Sequence, residues 1–285
     1  MTRMNGAQMV VKSLEAEGVE TMFGIPGGTV IHLYDAIYDT KINHILMRHE
    51  QAAAHAADGY ARTSGRPGVC IATSGPGATN LVTGLATANM DSVPMVAITG
   101  QVSTGVIGTD AFQEADILGA TIPLIKHGMQ VRSPEQIPSA IKKAFYIAST
   151  GRQGPVLVDV PADVQKGFGE FEYPESVDLP GYHPKASIDI ERFDEAVSII
   201  ENAQRPVIFA GGGVIRSGAA AKLTNFAESL EIPVTTTLLG KGAFPESHPL
   251  GLALGMAGMH GHPAANKALM TADVVIAIGS RFSDR

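Results

Sequence analysis

The sequence predicts an α/β protein built on mostly parallel, doubly wound sheets. Short β-rich apolar runs alternate with helix-patterned stretches from the first residues onward. Glycine is abundant, 32 of 285 residues, above the roughly 7% usual in proteins, which suits many tight strand-to-helix turns. With 45% hydrophobic and 17% charged residues the chain can bury a sizeable core. At roughly 100–200 residues per domain, its length predicts about two domains.

The elements follow in order. Residues 5–18 carry Val10, Val11 and Leu14 on one helical face, and 21–24 read as a short strand ending in Ile25-Pro26-Gly27-Gly28. A helix with Ile31, Tyr34, Ile37 and Tyr38 leads to a strand through Ile45, Leu46 and Met47. An alanine-rich helix begins near Glu50 and stops around Ser64-Gly65, with Pro67 beyond it. Residues 69–73 predict a strand, 78–88 a helix and 95–99 another strand. Strands near 128–132 and 155–160 flank a helix at 134–149, where Ser133 and Pro134 suit an N-cap and first helical position. This alternation implies a mostly parallel sheet covered on both faces, closing near Pro161. The first domain is thus expected over 1–166, an aperiodic linker rich in Gly, Pro, Tyr and acids over 167–188, and a second domain over 189–285. That domain opens with helix 189–203 and strand 207–210, then Gly211-Gly212-Gly213, helix 216–230 and strands 234–237 and 274–278. The sequence stops one turn after a strand, so more chain is expected.

The totals also exclude. A net charge of −7 without any basic cluster argues against nucleic acid or an anionic membrane as partner. The single cysteine, Cys70, sits in an apolar run; it permits no disulfide framework, fits a reducing compartment and reads as a buried structural thiol. The first residues lack a signal-peptide core and no run of 18 apolar residues follows, so a cytoplasmic protein is expected.

Ligands of open parallel sheets bind outside the carboxyl ends of the strands, and four turns at such ends stand out. Gly24 to Gly28 reads equally as a tight turn needing φ > 0 or as a ligand loop. One reading of Glu50, in Arg48-His49-Glu50-Gln51, is that it only complements a helix dipole. Alternatively, Ala52 to Ala54 with Ala56 and Ala57 leave room for something flat and apolar; burial would then raise the carboxyl's pKa and let it exchange a proton with a ring nitrogen. Thr73 to Asn80 could cradle phosphate at a helix N-terminus, but it has neither Gly-x-Gly-x-x-Gly spacing nor a lysine. Gly211 to Gly213, between a strand and a helix, reads about equally as a plain turn or as a pyrophosphate site. No histidine spacing matches a zinc pattern, and Ser74 is not in a nucleophile elbow.

Taken together the segments resemble the acetolactate (acetohydroxyacid) synthase catalytic-subunit family over essentially the whole chain. The resemblance is carried by Phe23-Gly24-Ile25-Pro26-Gly27-Gly28, Arg48-His49-Glu50-Gln51-Ala52-Ala53, Thr73 through Asn80, and Gly108-Thr109-Asp110-Ala111-Phe112-Gln113-Glu114. It continues through Lys126-His127, Gly151 to Asp159, Thr236 to Gly242, Gly258-Met259-His260-Gly261 and Arg281 to Arg285. It implies a pyrimidine-binding domain of thiamine diphosphate followed by a truncated Rossmann-like, flavin-binding central domain. It implies three cofactors: thiamine diphosphate, Mg2+ and FAD. Glu50 matches the glutamate that bonds N1′ of the aminopyrimidine, and Pro26, Gly27, Pro76 and Asn80 match residues lining that cofactor. Phe112 and Gln113 match substrate-pocket positions, with Gln113 counted beside Glu50 as catalytic. Arg152, Gly211, Gly212, Gly213, Thr237, Leu238, Gly258, Met259, His260, Gly279, Ser280, Arg281 and Asp284 match flavin contacts. Magnesium and the diphosphate belong to a third domain expected beyond residue 285, so no metal ligand is expected within the chain.

The activity implied is decarboxylative condensation of two pyruvates to 2-acetolactate, or of pyruvate with 2-oxobutyrate, for branched-chain amino-acid synthesis. A homodimer or higher homo-oligomer and a small regulatory subunit are the implied partners. Two positions depart from the pattern: Ala162 stands where a lysine is common, and Ser283 where an aspartate is usual. The alternatives are a related 2-oxo-acid oxidase or decarboxylase, and a nucleotide-binding fragment without catalysis.

Overall fold

The computed structural model describes residues 2–184 and 189–282 and resolves two compact units, Met1–Lys185 and Ala186–Arg285. The first unit runs β1 (Thr2–Asn5), α1 (Gly6–Ala16), β2 (Thr21–Gly24), α2 (Ile31–Tyr38), β3 (Asn43–Leu46), α3 (Glu50–Ser64) and β4 (Gly68–Ala72). It continues with α4 (Pro76–Thr79), α5 (Val82–Asp91), β5 (Met95–Gln101), α6 (Ile117–Thr121), β6 (His127–Gln130), α7 (Gln136–Ser149), β7 (Pro155–Pro161), α8 (Ala162–Lys166) and β8 (Phe168–Phe171).

Six strands form one sheet in the order β3-β2-β4-β5-β7-β6, and every neighbouring pair is parallel. β4, β5 and β7 are buried along their whole length, as strands covered on both faces must be. Alternation sends Val96, Ile98, Val156 and Val158 into a core with α1, α2 and α7. Met95, Ala97 and Leu157 enter a second core with α3 and α5. α1 starts with a reciprocal cap: Gln8 N–H donates to Asn5 Oδ1 at 2.8 Å, and Asn5 N–H to Gln8 Oε1 at 3.0 Å.

The second unit runs α9 (Ile190–Asn202), β9 (Pro206–Ala210), α10 (Gly212–Arg216), α11 (Ala220–Leu230), β10 (Val234–Thr236), β11 (Ala253–Met256), α12 (Pro263–Thr271) and β12 (Val274–Ile278). Its sheet is parallel, in the order β11-β10-β9-β12. Among the described residues no helix is long and apolar enough to cross a membrane.

Several boundaries differ from expectation. Part of the predicted linker is a strand: β8 pairs antiparallel with β1, Asn5 opposite Phe168, because Gly169 lets the backbone pass the Glu135 side chain. The helix expected from Pro134 begins at Gln136; Ser133 and Pro134 instead form a turn whose carbonyls accept from Gln136 and Ile137 N–H. The helix expected over 78–88 is two pieces, α4 and α5. That expected over 216–230 is also two, broken where Gly218 takes φ +66. β11 and α12 are additional; β11 is glycine-rich and short, so no apolar alternation announces it. The end of the predicted linker, 185–188, lies outside the described residues.

Candidate functional site

In the first unit the chain leaves β2 for β3 on one side, then crosses back to place β4 on the other. The strand order therefore reverses between β2 and β4, the place where open α/β sheets receive ligands. Pro26 and Gly27 follow β2, Glu50 follows β3, and Ser74 to Asn80 surround α4 after β4. The sheet thus brings three of the four predicted turns to one edge.

Glu50 opens α3. The preceding His49 caps the helix through Nδ1, which accepts from Gln51 N–H at 3.0 Å. The carboxylate is half-buried, and Asn80 Nδ2 donates to its Oε2 at 2.9 Å. A Cβ on Gly77 would stand 3.3 Å from Glu50 Oε1 and 2.6 Å from Thr73 Cγ2, so the glycine keeps open the space beside that oxygen. Thr29 and Thr73, outside the predicted set of site residues, brace the two turns: their hydroxyls lie 2.9 Å apart, and Ser74 N–H donates to Thr29 Oγ1 at 3.0 Å. Ser74 Oγ is buried and has no hydrogen-bond partner.

The reading of Gly24 to Gly28 as a turn needing φ > 0 is corrected. Gly27 is extended at φ −162, and none of its glycines is left-handed. What requires glycine is close approach: a Cβ on Gly27 would lie 2.6 Å from the Thr73 side chain, and one on Gly24 2.6 Å from Tyr34 Oη. Tyr34 Oη is 3.1 Å from His44 Nε2, with the rings edge to face. Burial, with smaller contributions from Cys70 and Glu50, pushes the Tyr34 phenol up, and burial pushes the His44 imidazole down. Both shifts favour the uncharged forms, a phenol beside a neutral imidazole.

Three of the five alanines expected to leave room beside Glu50 are taken up by packing. Ala53, Ala54, Ala57 and Ala61 are buried in the core, and their small size lets α3 lie close on its neighbours. A Cβ on Gly68 of β4 would meet Ala57 O at 2.0 Å, and one on Gly84 of α5 would meet the Ala54 Cβ at 2.3 Å. These four are spacers for helix packing; Ala52 and Ala56, the other two alanines of the expected run, are half-buried.

Phe112 and Gln113 reach the same edge from beyond β5. Gly75, left-handed at φ +55, has no room for a side chain because a Cβ would lie 2.4 Å from Gln113 O. Gln113 is itself left-handed at φ +57, and both side chains are exposed, Phe112 by 87%. Their segment folds around Glu114, whose carboxylate accepts from Gly108 N–H and, at 2.9 Å, from Ala111 N–H; these backbone bonds hold its carboxyl below the usual range. Arg152 lies apart, over the end of α5, donating to Asn89 O at 2.8 Å and Ser92 Oγ at 3.0 Å.

In the second unit the order reverses between β9 and β12. Gly211 to Gly213 follow β9, Thr237 and Leu238 follow β10, Gly258 to His260 follow β11, and Gly279 to Arg281 follow β12. All four segments therefore share one sheet edge. The glycine triplet is shaped by packing: a Cβ on Gly211 would stand 2.3 Å from Gly279 O, and Gly213 N–H donates to that oxygen at 3.0 Å. Gly211 N–H donates to Ile278 O at 2.8 Å, so two of the triplet's three amides are engaged within the protein. Thr237 Oγ1 accepts from Gly240 N–H at 3.0 Å and rounds the next turn. Asn266 of α12, which no motif singled out, grips Gly258 from both sides, accepting from its N–H at 2.8 Å and donating to its carbonyl at 3.0 Å. Leu238, Met259, His260 and Arg281 are exposed. Asp284 lies outside the described residues, as does Ser283.

Comparison with known proteins fits both edges. Residues 4–120 match the N-terminal TPP binding domain of thiamine pyrophosphate enzymes, and residues 193–285 match the central domain of the same enzymes. The chain is 58% identical over 285 residues to a probable acetolactate synthase large subunit of Methanocaldococcus jannaschii, covering 99% of this chain and 48% of that protein. It is 56% identical to an acetolactate synthase large subunit of Corynebacterium glutamicum (99% of this chain, 45% of that one). An acetolactate synthase of Arthrospira platensis is 51% identical (99% and 50%). The chain spans about half the length of these relatives.

Proposed function

This chain belongs to the thiamine pyrophosphate enzyme family, and we propose that the protein to which it contributes condenses two 2-oxo acids as an acetolactate synthase. The observation that carries the reading is the Asn80–Glu50–Gly77 arrangement at the first switch point. It fits an aminopyrimidine: one carboxylate oxygen is held by Asn80, while the other faces a gap that a single Cβ at Gly77 would fill. The partnerless Ser74 hydroxyl on the same turn adds an unsatisfied polar atom for a ligand to engage. Thiamine diphosphate, when bound, supplies the carbanion chemistry, and the protein supplies orientation and proton handling.

Within that division, Glu50 Oε1 would hold the proton exchanged with the ring nitrogen of a bound pyrimidine. Asn80 fixes the carboxylate's rotation, and His49 fixes the helix end on which it rides. Pro26 and Gly27, on a turn braced by Thr29 and Thr73, and Pro76, at the start of α4, would line the ring. Phe112 and Gln113 face the incoming 2-oxo acid. For FAD we propose the second unit's strand-end edge: Gly211 to Gly213, Thr237, Leu238, Gly258 to His260 and Gly279 to Arg281, with Asp284 continuing the last segment. Magnesium, the diphosphate grip, a homodimer and a small regulatory subunit belong to the whole protein. Pyruvate as donor, with pyruvate or 2-oxobutyrate as acceptor, is the substrate set proposed.

The test is acetolactate formation from pyruvate by the full-length protein with Glu50→Gln. Loss of a proton-transfer group is expected to lower the rate by roughly 10²–10⁴-fold. A near-wild-type rate removes Glu50 from the mechanism, and oxygen consumption with pyruvate in place of acetolactate identifies an oxidase.

A further inference from the structure

A buried polar row crosses the carboxyl end of the first unit's sheet and takes no part in the chemistry above. Thr99 of β5 and Gln130 of β6 stand directly opposite Asp159 of β7 in strand register. Asp159 is completely buried. Its Oδ1 accepts from Thr99 Oγ1 at 2.7 Å, and its Oδ2 from Gln130 Nε2 at 2.9 Å and Gln101 Nε2 at 3.3 Å. Burial holds its carboxyl above the usual range despite these three donors, with Asp116 adding slightly to the effect. A row of this kind is rigid, because losing its acceptor would strand two buried donors, Thr99 and Gln101, and the half-buried Gln130.

Gln101 is the member that reaches out of the row. Two residues beyond Thr99, it points to the same face of the sheet. Its Nε2 also donates to Ala115 O at 3.0 Å, while its Oε1 accepts from Val102 N–H at 2.9 Å. The side chain is 3% exposed, so neither bond can be exchanged cheaply for water. Ala115 directly follows the segment that carries Phe112 and Gln113. That segment has two left-handed residues other than glycine, Asp110 and Gln113, each a strained conformation that needs surrounding structure to hold it. Glu114 supplies such support from within the segment, and Gln101 supplies it from the sheet.

We propose that Gln101, anchored by Asp159, is a positioning residue that sets the segment 111–115 against the Ser74–Pro76 turn and so fixes where the 2-oxo acid sits. It acts through the Ala115 carbonyl and touches no reacting atom. The inference rests on the reading of Phe112 and Gln113 as the substrate side of the site.

The test compares Gln101→Met with Gln130→Met in the full-length protein. Each removes one donor to Asp159, but only the first releases Ala115. Gln101→Met, which also strands Ala115 O and Val102 N–H, is expected to lower the thermal midpoint more than Gln130→Met, whose side chain is half-buried. In Gln101→Met, kcat/KM for pyruvate falls about tenfold or more, mostly through KM, and amide hydrogen exchange over 108–116 accelerates; in Gln130→Met both stay near wild type. Equal kinetic losses in the two variants, or unchanged exchange over 108–116 in Gln101→Met, overturn the proposal. Should Gln101→Met fail to fold, Asp159→Asn keeps size and the Thr99 bond while turning an amide toward Gln101, and faster exchange over 108–116 is again required. Should the wild-type protein form no acetolactate, the functional reading falls, and the exchange measurement still decides the positioning role.

Discussion

At the first unit's switch point the chain segments meet through side chains: Asn80 holds Glu50, Thr29 holds Thr73, and Gln101 holds the approach of Ala115. At the second unit's switch point they meet through backbone. Gly211 and Gly213 press on Gly279, and Asn266 clasps both polar groups of Gly258. The same topology therefore yields two kinds of edge. One presents a carboxylate in a fixed orientation; the other presents closely packed main chain. The sheets beneath differ as well. β5 is buried throughout, whereas β12 alternates between half-buried and exposed, and α9 has no buried residue.

Backbone contact should be the less forgiving of the two, and Gly68→Ala gives the largest expected effect. Its Cβ would meet Ala57 O at 2.0 Å, where neither strand nor helix backbone can yield. A loss of about 3 kcal/mol is expected, with a midpoint lower by roughly 6–12 °C. Because Cys70 is the single cysteine of the sequence and lies in β4, thiol labelling reports opening of the first unit alone. Burial pushes that thiol up to about 12, so labelling at pH 8 should require unfolding in the wild type and accelerate in Gly68→Ala.

Gly211→Ala should come next, at about 2 kcal/mol, from the 2.3 Å approach to Gly279 O. Faster amide exchange in β9 with Cys70 labelling unchanged would keep the two edges independent; accelerated labelling would break that separation. Titration sharpens the contrast within the first unit, because its two carboxylates act with opposite sign. Glu114, held low, stabilises its segment above about pH 4.3, and that contribution is lost as pH falls through its lower folded value. Asp159, held high, binds its proton more tightly folded than unfolded, so its contribution declines as pH rises from about 3.9 through its raised folded value. Hydrogen exchange over 108–114 against pH, compared with Glu114→Gln, should show the first effect: protection that weakens on acidification in the wild type and stays flat in the variant. The smallest effect belongs to Gly28→Ala. Nothing lies within 4 Å of the added Cβ, and a change within about 0.5 kcal/mol is expected by thermal denaturation.

Much of this was legible in the residues. Apolar runs such as 95–99 and 155–160 predict buried parallel strands because their periodicity is a property of the local chain. The turns after those strands could be marked because glycine and proline clusters punctuate there. β1 with β8, and β11, were not legible: each is short, and each exists because a distant partner completes its hydrogen bonds. The φ > 0 reading of the Gly24 to Gly28 turn, and the ligand space at Ala53, Ala54 and Ala57, failed for a related reason. Glycine and alanine signal that something comes close without saying what, and here the neighbours are Thr73 and the β4 backbone.

For Glu50, to which the proposed chemistry is assigned, the sequence by itself determined that a glutamate opens a helix just past a strand, in a chain whose four strand-end turns resemble one enzyme family. Tertiary structure alone decided which oxygen is taken by Asn80, which is left beside Gly77, and that Gln101 and Asp159 reach the segment beyond β5. Strand periodicity depends on neighbours one and two residues away. Those contacts join residues 30 and 58 positions apart, and only the packed sheet brings them within hydrogen-bonding distance.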